Sequence, residues 1–172
     1  MTEPRSARYQ GCAFGKAGAM LQEFLANFRG KIDAKGRVSV PASFRSVLGE
    51  EKTIHCMYSV AGDRAIDVFP AAHLKEKTEA FKSQYGVNSR EYRHFQTVFK
   101  GGLFPIPIDG DGRIILPEQL LRKAQITEHA LFVGAGDYFQ IWEPGVFEAY
   151  QEQAVRSTQD AMFGPVRVGR SD

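Results

Sequence analysis

Two stretches of the chain follow one pattern, and this repetition limits the fold more than any other feature. Asp33 to Pro41 reads DAKGRVSVP and Asp109 to Pro117 reads DGDGRIILP. In each, Asp is followed by two variable residues, Gly, Arg, three mostly β-forming residues and Pro. The likeness extends outward. Phe28-Arg-Gly-Lys-Ile precedes the first copy and Phe104-Pro-Ile-Pro-Ile the second. Downstream, Ala61-Gly-Asp…Val68-Phe-Pro answers Ala135-Gly-Asp…Ile141-Trp-Glu-Pro. The spacing is too long for a solenoid or propeller repeat, so it implies two related half-domains.

The alternating aspartates of the second stretch invite a calcium reading, which fails. An EF-hand loop needs oxygen ligands at its first, third and fifth positions, Gly at the sixth and Glu at the twelfth. Asp109 and Asp111 fit, but Arg113, Ile114 and Leu120 occupy the other three positions. Zinc is disfavoured too, because His55 and Cys56 are adjacent and no C-x-x-C or H-x-x-x-H spacing accompanies them. No nucleophile elbow or phosphate-cradling glycine motif is present. The expectation is a non-enzyme without metal or cofactor.

Local chemistry gives each copy the same element order. Phe28–Ile32 and Arg37–Val40 read as short strands joined at Asp33-Ala-Lys-Gly, where Asp33 starts the turn and Gly36 takes positive φ. Pro41 suits the first helical position, Phe44, Val47 and Leu48 follow at helical spacing, and Gly49 stops the helix. Thr53–Tyr58 and Ala65–Phe69 read as two further strands. In the second copy Asp109–Gly112 forms the turn and Ile114–Leu116 the strand; Pro117 opens a helix through Ala124, and Ala130–Gly134 and Tyr138–Trp142 close the unit. Trp142 is expected in the barrel core. Half-barrels of this kind expose edges and cannot close a core alone, so two pairing in one chain is the economical solution.

This divides the chain into an extension over 1–23, expected to be disordered, a first repeat over 24–70, a helical connector over 71–100, a second repeat over 101–150 and a tail over 151–172. In the connector, Leu74, Phe81, Tyr85, Tyr92, Phe95, Val98 and Phe99 fall at helical spacing and read as a buried stripe, part of which can face a neighbouring subunit. Pro144 starts a last helix, expected to reach about Val155. Met20, just ahead of the first repeat, is a second candidate initiator, so residues 1–19 read as a misassigned stretch or a loose arm.

The formal net charge of +2 conceals an asymmetry. Residues 1–100 hold 16 Lys and Arg against 10 Asp and Glu, whereas residues 101–172 hold 6 against 10. An anionic partner for the first half is implied. Two cysteines, Cys12 and Cys56, form no disulfide framework and fit a reducing, cytoplasmic compartment. No segment has the length of a membrane span or of a signal-peptide core.

An Arg beside a tight turn can offer its fork to a phosphate, or bidentately to guanine O6 and N7 in the major groove. Asp four residues earlier can accept backbone N–H groups or hold the Arg rotamer. The plain alternative is a turn-stabilising ion pair. Around the first turn Arg29, Lys31, Lys35 and Arg37 cluster within nine residues, offset only by Asp33, as a phosphate-tracking patch would be. Around the second, Pro105 and Pro107 replace the upstream cations and Asp111 stands where Lys35 stood. Arg113, between Asp109 and the strand after Gly112, is therefore expected to make the weaker contact, with no basic neighbours.

The paired Asp-x-x-x-Arg signatures, the prolines behind them and the Gly-Asp…Ile-Trp ending resemble the MraZ family of bacterial transcriptional regulators, built from two SpoVT/AbrB-like repeats. The likeness covers roughly residues 24–150. It implies an α+β, mainly β fold: a pseudo-symmetric swapped-hairpin or double-psi-like β-barrel with packed helices, assembled into a ring-shaped homo-oligomer. It also implies a nucleoid-associated regulator that binds double-stranded DNA at repeated G-rich sites and represses the division and cell-wall gene cluster, including its own gene. The first copy departs in having a short segment ahead of Asp33, which loosens the placement of Arg29 and Lys31 on a DNA face. An antitoxin-like repressor of AbrB fold and a structural ring without DNA activity are the other readings.

Overall fold

The computed structural model describes residues 23–164; residues 1–22, including Cys12 and the alternative start at Met20, lie outside them. The fold is α+β, with eight antiparallel strands and five α-helices among the described residues. The first copy contributes β1 (Asn27–Lys31), β2 (Arg37–Ser39), α1 (Ala42–Leu48), β3 (Thr53–Tyr58) and β4 (Ala65–Phe69). The second contributes β5 (Phe104–Pro107), β6 (Arg113–Ile115), α4 (Glu118–Ala124), β7 (His129–Gly134) and β8 (Phe139–Trp142). Between them lie α2 (Ala71–Tyr85), α3 (Arg90–His94), a π turn at Phe95–Phe99 and a 3₁₀ turn at Lys100–Gly102; α5 (Pro144–Phe163) follows β8.

Strand pairing interlaces the copies. Six strands run in the order β1-β7-β8-β4-β3-β5, and β2 pairs with β6 in a separate two-stranded ribbon. The first strand of each copy therefore pairs with the third strand of the other. Gly30 faces Ala130 and Phe28 faces Phe132, while Ile106 faces Ile54 and Phe104 faces Cys56. Equivalent residues lie 76 positions apart, as Asp33 and Asp109 do. At that offset the ribbon is symmetric about the pair Val38–Ile114. The edge strand β5 carries Pro105 and Pro107, which lack an N–H and so blunt the edge against further pairing.

Packing distinguishes the halves. A β-carbon on Gly30 would come within 3.1 Å of Val38 and 3.4 Å of the Phe132 ring, so the bulk of Phe132 occupies the space beside a bare backbone. At the equivalent place the bulk is reversed: Ile106 replaces Gly30, and Cys56 replaces Phe132. Each small residue thus meets a large one. Burial pushes the Cys56 thiol well above its ordinary pKa, as expected for an inert core cysteine. Phe44 forms the aromatic centre, with ring centroids 5.0–5.4 Å from Phe24, Phe28 and Phe139 and 6.5 Å from Phe132.

The outer face of the sheet carries two further apolar clusters. Met57 and Phe69 meet Phe95 and Phe99 of the connector, and Ala65 and Trp142 meet Phe147 of α5. Asp67, on β4 between Ala65 and Phe69, is buried and accepts a hydrogen bond from Gln140 Nε2 at 2.7 Å. Burial raises its carboxyl above the usual range.

Several sequence expectations change here. Trp142 is buried but lies outside the main core, because alternation along β8 sends Phe139 and Ile141 inward and Trp142 beneath α5. The last helix does not end near Val155: Glu143 caps it by accepting the Val146 N–H at 2.8 Å, and its Ala- and Gln-rich sequence carries it to Phe163 before Gly164. Residues 156–163, expected to lie beyond the helix in the tail, are therefore helical. Pro41 and Pro117 sit one residue ahead of their helices rather than in the first turn. The connector stripe is mostly satisfied within the chain: Phe81 stacks on Phe95 at 4.4 Å, Phe95 on Phe99 at 5.0 Å, and Phe99 meets Phe69 at 5.4 Å. Tyr85 and Val98 remain exposed.

Truncating the aromatic centre tests this packing. Phe44→Ala should cost about 3–5 kcal/mol in denaturant unfolding, because the cavity falls where both copies meet. Phe44→Leu, which copies the residue type of its counterpart Leu120, should cost distinctly less.

Candidate nucleic-acid interface

Both signature turns are built by one carboxylate. Asp33 Oδ1 accepts the backbone N–H groups of Lys35 and Arg37, each at 2.9 Å, and Oδ2 accepts Arg37 Nε at 2.7 Å. The turn closes with Gly36 N–H donating to the Asp33 carbonyl at 3.0 Å. Asp109 repeats this with Asp111 N–H and Arg113 N–H, each at 2.9 Å, Arg113 Nε at 3.0 Å and Gly112 N–H to its carbonyl at 3.0 Å. Gly36 and Gly112 take φ of 78° and 75°, a left-handed conformation that favours glycine. The aspartates therefore fix the turn and the arginine together; the two roles considered for them are combined in one side chain.

Electrostatics follow this geometry. The Arg37 side-chain hydrogen bond, with backbone donors, holds the Asp33 carboxyl below its ordinary pKa. For Asp109 the Arg113 backbone N–H leads, aided by its side chain. Arg113 is pushed upward, first by its hydrogen bond to Asp109 and then by the charges of Asp109 and Asp111.

The ribbon brings the two arginines onto one surface. In β2/β6, Arg37 is opposite Ile115 and Ser39 is opposite Arg113. Val38 and Ile114 are buried inward, leaving Arg37, Ser39, Arg113 and Ile115 on the outer face. The arginines are not equivalent. Arg113 also donates from Nη2 to Asp111 Oδ2 at 2.8 Å, so its fork is partly taken. Arg37 holds Asp33 through Nε alone, and its terminal nitrogens have no partner among the described residues. Lys35 is exposed on the first turn.

Arg29 and Lys31 lie elsewhere. They alternate with the inward Phe28 and Gly30 on the edge strand β1, opposite Leu131 and His129, on the outer side of the sheet. No hydrogen bond or ion pair among the described residues joins them to the turn. The structure also supplies a residue that sequence reading missed. Arg45, exposed on α1, lies across Gly112 of the second turn, so that turn does have a basic neighbour. The missed signal was its offset of 76 from Leu121, which packs near Gly36.

A carboxylate with a depressed folded pKa stabilises the turn above its unfolded value, about 3.9, and loses that contribution as pH falls through the lower folded value. At neutral pH the Nε–H resonances of Arg37 and Arg113 should be held and visible by NMR. Asp33→Ala should release only that of Arg37, Asp109→Ala only that of Arg113, and acid taken below the depressed carboxyl pKa values, and hence under the ordinary value of about 3.9, should release both.

A family model described as "MraZ protein, putative antitoxin-like" matches residues 101–162. A protein of Rickettsia akari (strain Hartford) named transcriptional regulator MraZ is 36% identical over 141 residues, covering 81% of this chain and 94% of its own length. Its namesake from Rickettsia typhi (strain ATCC VR-144 / Wilmington) is 39% identical over 132 residues, covering 76% of this chain and 88% of its own. With likeness of this extent to relatives so named, the chain belongs to the MraZ family, a family of transcriptional regulators and not of enzymes.

Proposed function

We propose that the chain is a sequence-specific DNA-binding regulator that places the β2/β6 ribbon in the major groove. The carrying observation is the outer face of that ribbon, where two aspartate-held arginines project from antiparallel strands. A B-form major groove admits a two-stranded ribbon, and Arg reads guanine there through O6 and N7. Diagonal neighbours across such a pair stand roughly 7–8 Å apart, close to two base steps of about 3.4 Å. In this reading Arg37 reads a base, Lys35 tracks a phosphate, and Arg113 contributes less because Asp111 engages its fork. Arg29 and Lys31, on the outer side of β1, supply long-range attraction rather than base contacts.

The interlaced strands support the AbrB-like, swapped-hairpin description of the barrel, with repeats over 24–70 and 101–150. The regulated DNA is the division and cell-wall cluster with the chain's own gene, bound at repeated G-rich sites in the cytoplasm, at the nucleoid. The protein acts as a closed homo-oligomer. Exposed Val155, Met162 and Phe163 on α5 support self-association more strongly than the connector stripe, which is mostly spent within the chain. A ring would multiply modest contacts over repeated sites by raising effective concentration. The antitoxin-like reading, favoured by the family model's description, keeps the same DNA surface and adds a protein partner, which co-purification with neighbouring gene products would reveal.

Binding to a duplex from upstream of the chain's own gene tests the proposal. Arg37→Ala should cost roughly 1–3 kcal/mol and relax base preference at one position. Lys35→Ala should weaken binding evenly across sequences and flatten the salt dependence by about one unit of slope for each engaged subunit. Arg113→Ala should cost less than Arg37→Ala. Light scattering in parallel should show one oligomer size for all. An Arg37→Ala protein that assembles and binds normally would refute the assignment.

A further inference from the structure

Arg45 belongs to the first copy, yet its side chain serves the turn of the second. A β-carbon on Gly112 would stand 2.5 Å from Arg45 Cδ, 2.7 Å from Nη1 and 2.9 Å from Cζ, so stem and guanidinium both cross the bare glycine. At the equivalent place in the other half, Leu121 Cδ1 stands 3.6 Å from a β-carbon built on Gly36. Positions 45 and 121 are thus packing counterparts that differ in charge. The opposite exchange occurs inside the turns, with Lys35 in the first and Asp111 in the second. Each turn consequently has its signature arginine and one added cation. The first turn supplies its own, and the second borrows Arg45 from the other copy.

A cleft of about 440 Å³ opens beside the second turn, with Arg45, Lys52, Glu51, Asp109 and Gly110 in its wall. Its two carboxylates are already engaged. Asp109 accepts from two backbone N–H groups and from Arg113 Nε, and Glu51 Oε2 accepts the Ala71 N–H at 3.1 Å. Arg45 and Lys52 are exposed and have no carboxylate partner among the described residues. The cleft therefore presents two cations that no carboxylate pairs with directly, next to the surface assigned to DNA, while Glu51, bound only to an amide N–H, keeps its own charge in the wall.

We infer that this cleft seats a backbone phosphate of the bound duplex, with Arg45 as its main ligand and Lys52 as a second cation. This rests on the proposed reading of the ribbon. A guanidinium meets phosphate through paired N–H donors, and such contacts fix register without reading sequence. The second turn then acts as an anchor, held by a cation whose position depends on the pairing of both copies.

The test measures binding of the full chain to the upstream duplex, and to a random-sequence duplex of equal length, over a series of KCl concentrations. Arg45→Leu borrows the residue that the other half uses, retaining apolar contact with Gly112 while removing the charge. It should weaken binding to both duplexes by the same factor, leave their ratio unchanged, and lower the salt slope by about 0.9 for each engaged subunit. Arg45→Lys should restore the slope. Should Arg45→Leu fail to fold, Arg45→Gln and Lys52→Ala carry the same test on exposed side chains. Unchanged affinity and slope in a folded, charge-removed Arg45 variant would overturn the inference. If Arg37→Ala loses base preference while Arg45 variants are silent, only the cleft assignment fails; if Arg37→Ala is also silent, the ribbon reading itself has failed.

Discussion

Backbone hydrogen bonding between the two copies is the constraint on which the rest of the molecule depends. A strand in a buried sheet must pair its N–H and C=O groups or bear the cost of leaving them bare. Here β1 satisfies its inner side on β7, β5 on β3, β4 on β8 and β2 on β6, and every one of these pairs joins one copy to the other. Pairs within a copy, β3 with β4 and β7 with β8, give only hairpins, and an isolated two-stranded hairpin is marginal in water. The core inherits this dependence: Phe44 from the first half packs on Phe132 and Phe139 from the second.

The same constraint explains why the two signatures lie on one surface. Antiparallel pairing of β2 with β6 sets the turns at opposite ends of a short ribbon and turns both arginines outward. The aspartates then limit what each arginine can do, since Nε is held in both and only the terminal nitrogens remain available. Asp111 takes one of these from Arg113. Duplication has thus provided two copies of a rigid part, and substitution at a few positions has made them unequal.

Much of this was legible in the sequence because it is local. Asp33 and Gly36, or Asp109 and Gly112, specify a turn within four residues, and the strands Thr53–Tyr58 and Ala65–Phe69 fall as their pattern predicts. What was not legible depends on tertiary partners. Periodicity says that Trp142 is buried but not on which side of the sheet, since that is decided by α5 arriving over the outer face. The length of α5 was underestimated because capping by Glu143 and a run of good helix formers outweigh the lack of a continuous apolar face. The connector stripe suggested an interface until its rings were seen to stack on one another. Arg45 was overlooked because it sits twelve residues beyond Asp33 in sequence and reaches the other turn only through the interlaced strands.

Severing the chain between α2 and α3, within residues 86–89, tests the central claim most directly. That link leaves all four inter-copy strand pairs available to two separate pieces. If interlacing holds the fold, neither piece will melt cooperatively as a monomer, and mixing the two will restore a single cooperative transition by circular dichroism. A monomeric piece that folds and melts cooperatively by itself would contradict the account.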